Sequence, residues 1–409
     1  MPSVVFLNRF YAPDIAATGQ LLADLAEDLA RAGWDVSVIT GRSPYSGDAA
    51  PLPADELRAG VRVRRVWTTA PGRGRVAGYL SYMAGAFREL LRAPRGAVVV
   101  AMTDPPFLLA PVLAAARVRG FRVAAWVQDV YPQLAVALGV LAPGTTLARG
   151  LHALAGRLLR GCDTVVTLAP GMSRVIAAMG VDEGRVAHVH NWADADSVAP
   201  VERAANPFVR EHGLAERFVV LYSGTAGRAH TFDAVVEAAR ELRADPEVLF
   251  LFVGGGAQIP ALRAQAERAG APLRFLPYQP RETLSASLSA GHVALVTEDP
   301  AAAGLVLPSK TYGAMASGRP ILYVGPPDSD VARMVTEHGC GIAVRHDDPA
   351  GVARAVRTLQ ADPALRERMG EAGRRAAESL YDRRHATRHH AAILARLAAA
   401  EPAYAAVPA

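Results

Sequence analysis

The chain has 409 residues, 51% hydrophobic and 20% charged, which predicts two or three globular domains with large cores and excludes a disordered chain. Its two cysteines, Cys162 and Cys340, lie far apart without metal-ligand spacing, which excludes a disulfide framework and a zinc site and suits a reducing compartment. A net charge of +5 favours anionic partners such as nucleotides or acidic lipid surfaces, and nucleic acid is not expected among them.

The opening "MPSVVFLNRFYAPD" has the character of a first buried strand and not of a signal peptide. No window holds the roughly eighteen consecutive apolar residues of a membrane-spanning helix, so a cytoplasmic protein is expected. The strand-like runs "SVVFLN", "DVSVIT", "VRVRRVW", "AVVVAMT", "FRVAAWVQD", "TVVTLA" and "RVAHVHN" follow one another through the first half. Amphipathic helices separate them, such as "TGQLLADLAEDLARAG", with Leu21, Leu22, Leu25 and Leu29 on one face and Gly33 placed to end it. A second series begins at "RFVVLYSG" and runs through "VLFLFVGG", "LRFLPY", "HVALVTE", "PILYVG" and "CGIAVRH". Such alternation means parallel sheets covered by helices on both faces, hence an α/β fold of two doubly wound, Rossmann-like domains facing across a cleft. The polar stretch 191–213 marks the break, and the expected divisions are 1–195, 196–375 and a helical tail, 376–409, crossing back to the first domain. Within that Arg-rich tail, "RHHAAIL" at 388–394 reads as a solvated helix face.

Ligands of open parallel sheets bind beyond the carboxyl ends of the strands, so the loops after strands are the places to look. After the first strand, Gly19 stands where a helix opens with free N–H groups. The second series begins with a strand followed by "YSGTAGRAHTF", carrying Gly224, Arg228 and His230. A later one leads through Glu298 to "LPSKTYGAMASG", with Ser309 at the start of a helix expected over 308–318. Of 44 lysines and arginines in the chain, one is lysine: Lys310. An ammonium is a compact point charge where arginine is a planar fork, so the choice of lysine points to a crowded anion. The triple glycine at 254–256 reads as a turn, because Ile259 occupies the third glycine position of a dinucleotide fingerprint. His190 and His292, at a strand end and a strand start, are expected to be structural.

The order and spacing of "FYAPDIAATGQLLADLAEDLARAGWDVSVIT", "TDPPFLLAP", "WVQDVYPQ", "LAPGMSRVIAAMGV", "VHNWAD", "LYSGTAGRAHTFDAVVEAA", "FLPYQPRETLSASLSAGHVALVT" and "LPSKTYGAMASGRPILYVG" resemble glycosyltransferases of the GT-B fold, family 4, in the branch that builds bacterial surface polysaccharides of the colanic-acid type. The resemblance covers nearly the whole chain. It implies retaining transfer of a sugar from a nucleotide diphosphate donor, expected to be a UDP-sugar, to a saccharide, lipid-linked or small secondary-metabolite acceptor. It places the donor at Gly19, Gly224, Arg228, His230, Glu298, Ser309, Lys310 and Tyr312, with Lys310 and Arg228 as the catalytic cations. The acceptor side falls on the Pro13 and Asp14 step, Thr18, Asp104, Gln128 and Asp129, where Gln128 replaces the histidine of many relatives. Two glutamates that the family carries eight positions apart are replaced by Leu305 and Gly313, which leaves recognition of the ribose unassigned. Asn191 and Asp194 match an interdomain N-x-x-D segment. Neither metal nor other cofactor is expected. A nucleotide-sugar epimerase and a non-catalytic two-domain ligand-binding protein share the architecture and remain as alternatives.

One stretch, 72–96, sets Arg73, Arg75, Arg88, Arg92 and Arg95 beside Tyr79, Tyr82, Met83, Phe87 and Leu91. Basic charge beside aromatic and apolar groups suits docking on an acidic bilayer, and equally suits a core helix with a solvated basic edge.

Overall fold

The computed structural model describes residues 1–44, 50–69 and 74–400. The chain forms two compact units: one runs to His190 and resumes at Ala386, the other spans Asn191–His385. These changeovers differ from the expected 195 and 376. The reason is a clip within the second unit: Ala193 N–H donates to the Tyr381 carbonyl (3.2 Å), Arg383 N–H donates to that of Ala193 (3.0 Å), and Ala195 N–H donates to the Asp382 carboxylate (3.1 Å).

The first unit holds an eight-stranded sheet built from β1 (Ser3–Leu7), β2 (Asp35–Gly41), β3 (Asp55–Arg58), β4 (Val61–Val66), β5 (Val98–Met102), β6 (Arg122–Trp126), β7 (Thr164–Thr167) and β8 (Val186–His188). The spatial order is β3-β4-β2-β1-β5-β6-β7-β8, parallel apart from the antiparallel β3 edge. Sequence patterning missed β3, because "DELR" on a half-solvated edge carries no apolar run. The interior strands are apolar almost without interruption, as burial on both faces requires. Tyr82 is fully buried and donates its hydroxyl to the Ile39 carbonyl (2.9 Å), pinning helix Arg75–Leu90 to the sheet.

The tail forms helices Pro363–Ser379 and Arg383–Ala399. Its "RHHAAIL" segment is not a solvated face: His390, Ile393 and Leu394 are buried, and the His390 ring lies 4.5 Å from that of Trp126. Burial holds His390 neutral, its pKa lowered to about 3. The run looked polar because the buried residues fall three and four apart, a spacing that two adjacent histidines obscure.

The second unit holds six parallel strands: β9 (Phe218–Thr225), β10 (Val248–Gly255), β11 (Leu273–Leu276), β12 (Val293–Thr297), β13 (Ile321–Gly325) and β14 (Gly341–Arg345). Their order is β11-β10-β9-β12-β13-β14. Counted from β9 this is 3-2-1-4-5-6, the doubly wound order, whose crevice opens where β9 and β12 lie side by side. Alternate residues of β9 serve opposite faces: Val220 and Tyr222 join Phe232, Phe250 and Phe252 in one core, while Val219 and Leu221 join Leu251 and Val253 in the other. His292 has the structural role expected of it, accepting the Val219 N–H at Nδ1 (3.0 Å) beside the stacked ring of Phe218.

Candidate functional site

The loops that leave β9 and β12 meet at the carboxyl ends of these two neighbouring strands. The β9 loop carries Arg228 and His230; the β12 loop leads to helix Lys310–Ala316. Lys310 Nζ lies 2.9 Å from His230 Nε2 and 4.8 Å above the centre of the Tyr222 ring. His230 Nδ1 stands 2.6 Å from the Thr297 carbonyl. A carbonyl can only accept, so Nδ1 carries the proton and Nε2 offers its lone pair to Lys310. Burial lowers the Lys310 pKa from its ordinary value to about 7. Burial first, and then the neighbouring Lys310, lower that of His230 to about 3, so the ring is neutral.

The β9 loop is held from below by groups that sequence reasoning passed over. Ala226 N–H donates to the Gly255 carbonyl (2.7 Å), and Gln258 N–H to that of Ala226 (3.1 Å). The Gln258 side-chain amide donates to the carbonyls of Gly227 and His230, the latter at 2.8 Å. Gly254 and Gly255 are the last residues of β10 and not the expected turn, and their absent side chains let two strand backbones touch: a Cβ on Gly254 would stand 2.2 Å from the Gly224 carbonyl oxygen. Tyr278, 45% exposed, bonds Thr225 through its hydroxyl (2.7 Å) at the same end of the sheet. An isolated aromatic after a strand was the available signal for it, and nothing local marked Gln258.

Several expected contacts need correction. Tyr312 is fully buried, with its ring 5.5 Å from that of Tyr381, and faces the core and not a ligand. Glu298 is 1% exposed and accepts a hydrogen bond from the Tyr323 hydroxyl (2.6 Å), which also meets Ser329 (2.6 Å). It therefore neither caps a turn nor presents itself to sugar hydroxyls. Burial pushes its pKa up to about 7, against the lowering effect of these hydrogen bonds. The helix spans Lys310–Ala316 and not 308–318; Ser309 is exposed and makes no capping bond. The N–H groups of Thr311 and Tyr312 are taken by the Pro308 and Ser309 carbonyls (3.2 Å each), so the helix end has little left for an anion. Arg228 is exposed on its loop. Gly224, at φ +121°, lies against the Lys310 stem.

In the first unit the corresponding crevice lies where β1 meets β5. Buried Asn8 donates to the Phe10 carbonyl (2.8 Å) and to Thr18 Oγ1 (3.2 Å). Gly19 is buried against this loop; a Cβ there would stand 3.0 Å from the Phe10 oxygen, so close backbone approach accounts for it. Pro13 is exposed, and the Asp14 carboxylate accepts the Ala16 N–H (3.3 Å) within the turn. At the next strand ends, Thr103 Oγ1 accepts the N–H groups of Gln128 (3.2 Å) and Asp129 (3.1 Å). Burial, and then the negative charge of Asp104, push the Asp129 pKa up to about 7. A carboxyl group poised near neutrality can exchange a proton with a bound hydroxyl. Asp194 accepts the N–H groups of Asp196 (3.1 Å) and Ser197 (3.0 Å) and so serves the chain turn at the changeover, and Asn191 is buried.

Two family models cover most of the chain: a glycosyl transferase 4-like domain over residues 17–192 and a glycosyl transferases group 1 domain over 207–376. Among curated relatives, a probable glycosyltransferase WbjE of Pseudomonas aeruginosa is 30% identical over 65% of this chain and 66% of that one, about two thirds of its length. A putative colanic acid biosynthesis glycosyl transferase, WcaI of Escherichia coli, is 25% identical over 75% and 79%. Among solved structures, sucrose-phosphate synthase of Thermosynechococcus elongatus superposes with a TM-score of 0.78 at 17% identity, covering 97% of this chain and 99% of that one. Anabaena HepE in complex with UDP-glucose superposes with a TM-score of 0.75 at 14% identity, covering 97% and 100%. At such identities the likeness shows the shared fold.

Proposed function

The chain belongs to the family 4 glycosyltransferases of the GT-B fold, and from that premise we propose that it moves a sugar from a UDP-sugar to a lipid-linked saccharide with retention of anomeric configuration. The observation that carries the donor side is Lys310, a lysine without a carboxylate partner among the described residues, held over the end of β9 by His230 and Tyr222. Breaking the bond between the anomeric carbon and the diphosphate develops negative charge on the leaving phosphate, and fixed cations aimed at that charge lower the barrier. Lys310 is assigned this role, with exposed Arg228 closing on the same phosphate. With no nucleophilic carboxylate assigned, front-side displacement fits best, the leaving phosphate helping to take the acceptor proton. The UDP assignment draws on the HepE complex, and the polysaccharide context on the names of WbjE and WcaI. Asp129 is assigned to the acceptor hydroxyl.

The test is a thermal-shift screen of nucleotide sugars, followed by product analysis with and without acceptor. A UDP-sugar should raise the melting temperature and be consumed when acceptor is present. Donor consumed without acceptor would identify an epimerase, and binding without turnover a ligand-binding protein.

Side-chain cations are proposed to do what a divalent metal does in other sugar-transfer enzymes. Activity is therefore expected to survive EDTA. Loss in EDTA restored by Mg²⁺ would show that the leaving group is stabilised by other means.

A lipid-linked acceptor implies a membrane-facing surface, and helix Arg75–Leu90 is its candidate. Tyr82 is buried, and Met83, Phe87 and Leu91 are half-buried, so most apolar residues of the 72–96 stretch serve the core. Arg73 and the Arg75 side chain lie outside the described residues. What faces solvent is Val76 (68% exposed) and Leu80 (62%), one turn apart, with Arg88, Arg92 and Arg95 farther along. No described helix is long and apolar enough to cross a membrane. Co-sedimentation with anionic vesicles is expected, weakening at high salt and in Leu80→Glu. Equal binding to neutral vesicles would remove the electrostatic part.

A further inference from the structure

Among the described residues, no carboxylate is paired with Lys310. The groups that face its Nζ are the neutral His230 ring from the β9 loop and the Tyr222 ring from β9 itself. The Lys310 stem lies against Gly224 on the same strand. Burial is the cause that shifts its titration, and no carboxylate among the described residues offsets it. A half-buried ammonium without a counter-charge carries a cost, whereas an amine still donates hydrogen bonds and can bond the His230 lone pair.

We propose that above neutral pH Lys310 stands largely uncharged in the empty site, held there by His230 as a positioning residue, and takes up one proton from solvent when a nucleotide diphosphate binds. The diphosphate brings the missing negative charge, which raises the proton affinity of Nζ and makes the cation where the leaving group needs it. His230 cannot share that proton, because Nδ1 is committed to the Thr297 carbonyl and a second proton at Nε2 would face the ammonium. Above about pH 7, donor affinity then falls as pH rises, tenfold per unit, since a proton must be gained for each ligand bound. The diphosphate half of this rests on the function proposed above; the charge state of the empty site does not.

A single lysine makes the test direct: protein grown on ¹³C-lysine has one Lys Cε signal, and its shift reports the charge on Nζ. In the empty protein a midpoint near pH 7 is expected, and a midpoint above 9 overturns the proposal. His230→Ala should admit water and raise the midpoint by a unit or more, with His230→Gln, which keeps an acceptor, lying between; no change in either removes His230 from the device. At pH 8, saturating UDP-glucose should move the signal to its charged position, and saturation that leaves it uncharged overturns the uptake step. Absence of binding by every nucleotide sugar would count against the proposed function, while the midpoint of the empty protein still decides the charge state.

Discussion

Lys310→Ala is expected to lower turnover about a hundredfold. The contact it removes strengthens as the phosphate leaves, and losing one such charge-directed donor typically costs roughly 3 kcal/mol of transition-state stabilisation. Nucleotide affinity should fall as well, since the cation is formed on binding. Stability should barely change, because Lys310 is only half-buried and has no carboxylate partner among the described residues. Lys310→Arg is the sharper variant. It keeps a charge at every accessible pH but replaces a point charge with a longer planar fork between His230 and Tyr222, so partial activity is expected, with the pH dependence of affinity flattened. Turnover, donor affinity across pH 6–9 and melting temperature separate the outcomes. Full activity in the Ala variant would sink the assignment. A large fall in melting temperature without ligand would mark Lys310 as structural.

Gly254→Ala is expected to cost the second unit about 3 kcal/mol or more. Gly254 sits at φ +134°, where an L side chain is strained by about 1–3 kcal/mol. Its Cβ would also press to 2.2 Å from the carbonyl oxygen of Gly224, its register partner on the neighbouring strand. That neighbour is sheet backbone and cannot turn away as a side chain would. A unit of about this size loses roughly 2–4 °C per kcal/mol, so a drop of about 6–12 °C is expected. Displacing Gly224 also shifts the backbone against the Lys310 stem, so donor affinity should decline in the folded fraction. Gly213→Ala is the control: it has positive φ but nothing within 4 Å of its Cβ, so about 1 kcal/mol of strain is expected. Equal, small losses in both variants would mean that the β9–β10 contact gives way easily.

The amino-acid sequence by itself determined the two series of parallel strands, the loops that bear the donor-side residues and the singular place of Lys310. Each of these is a local property: apolar runs mark strands buried on both faces, turn residues mark their ends, and a residue type used once needs no partner to be noticed. Facing was decided by tertiary structure. Lys310 and Tyr312 are two residues apart in one motif, but on a helix that separation is a rotation of about 200°, which sends Lys310 over β9 and Tyr312 into the core beside Tyr381. Glu298 follows a strand as a surface carboxylate would, yet Tyr323 and Ser329, 25 and 31 positions later in the chain, draw it inward. Gln258 carries no local sign of its role, because the carbonyls it holds, those of Gly227 and His230, belong to another strand's loop. The pairing of His230 with Lys310 joins residues 80 positions apart, and the charge of both depends on burial that arises when β9 and β12 come to lie side by side.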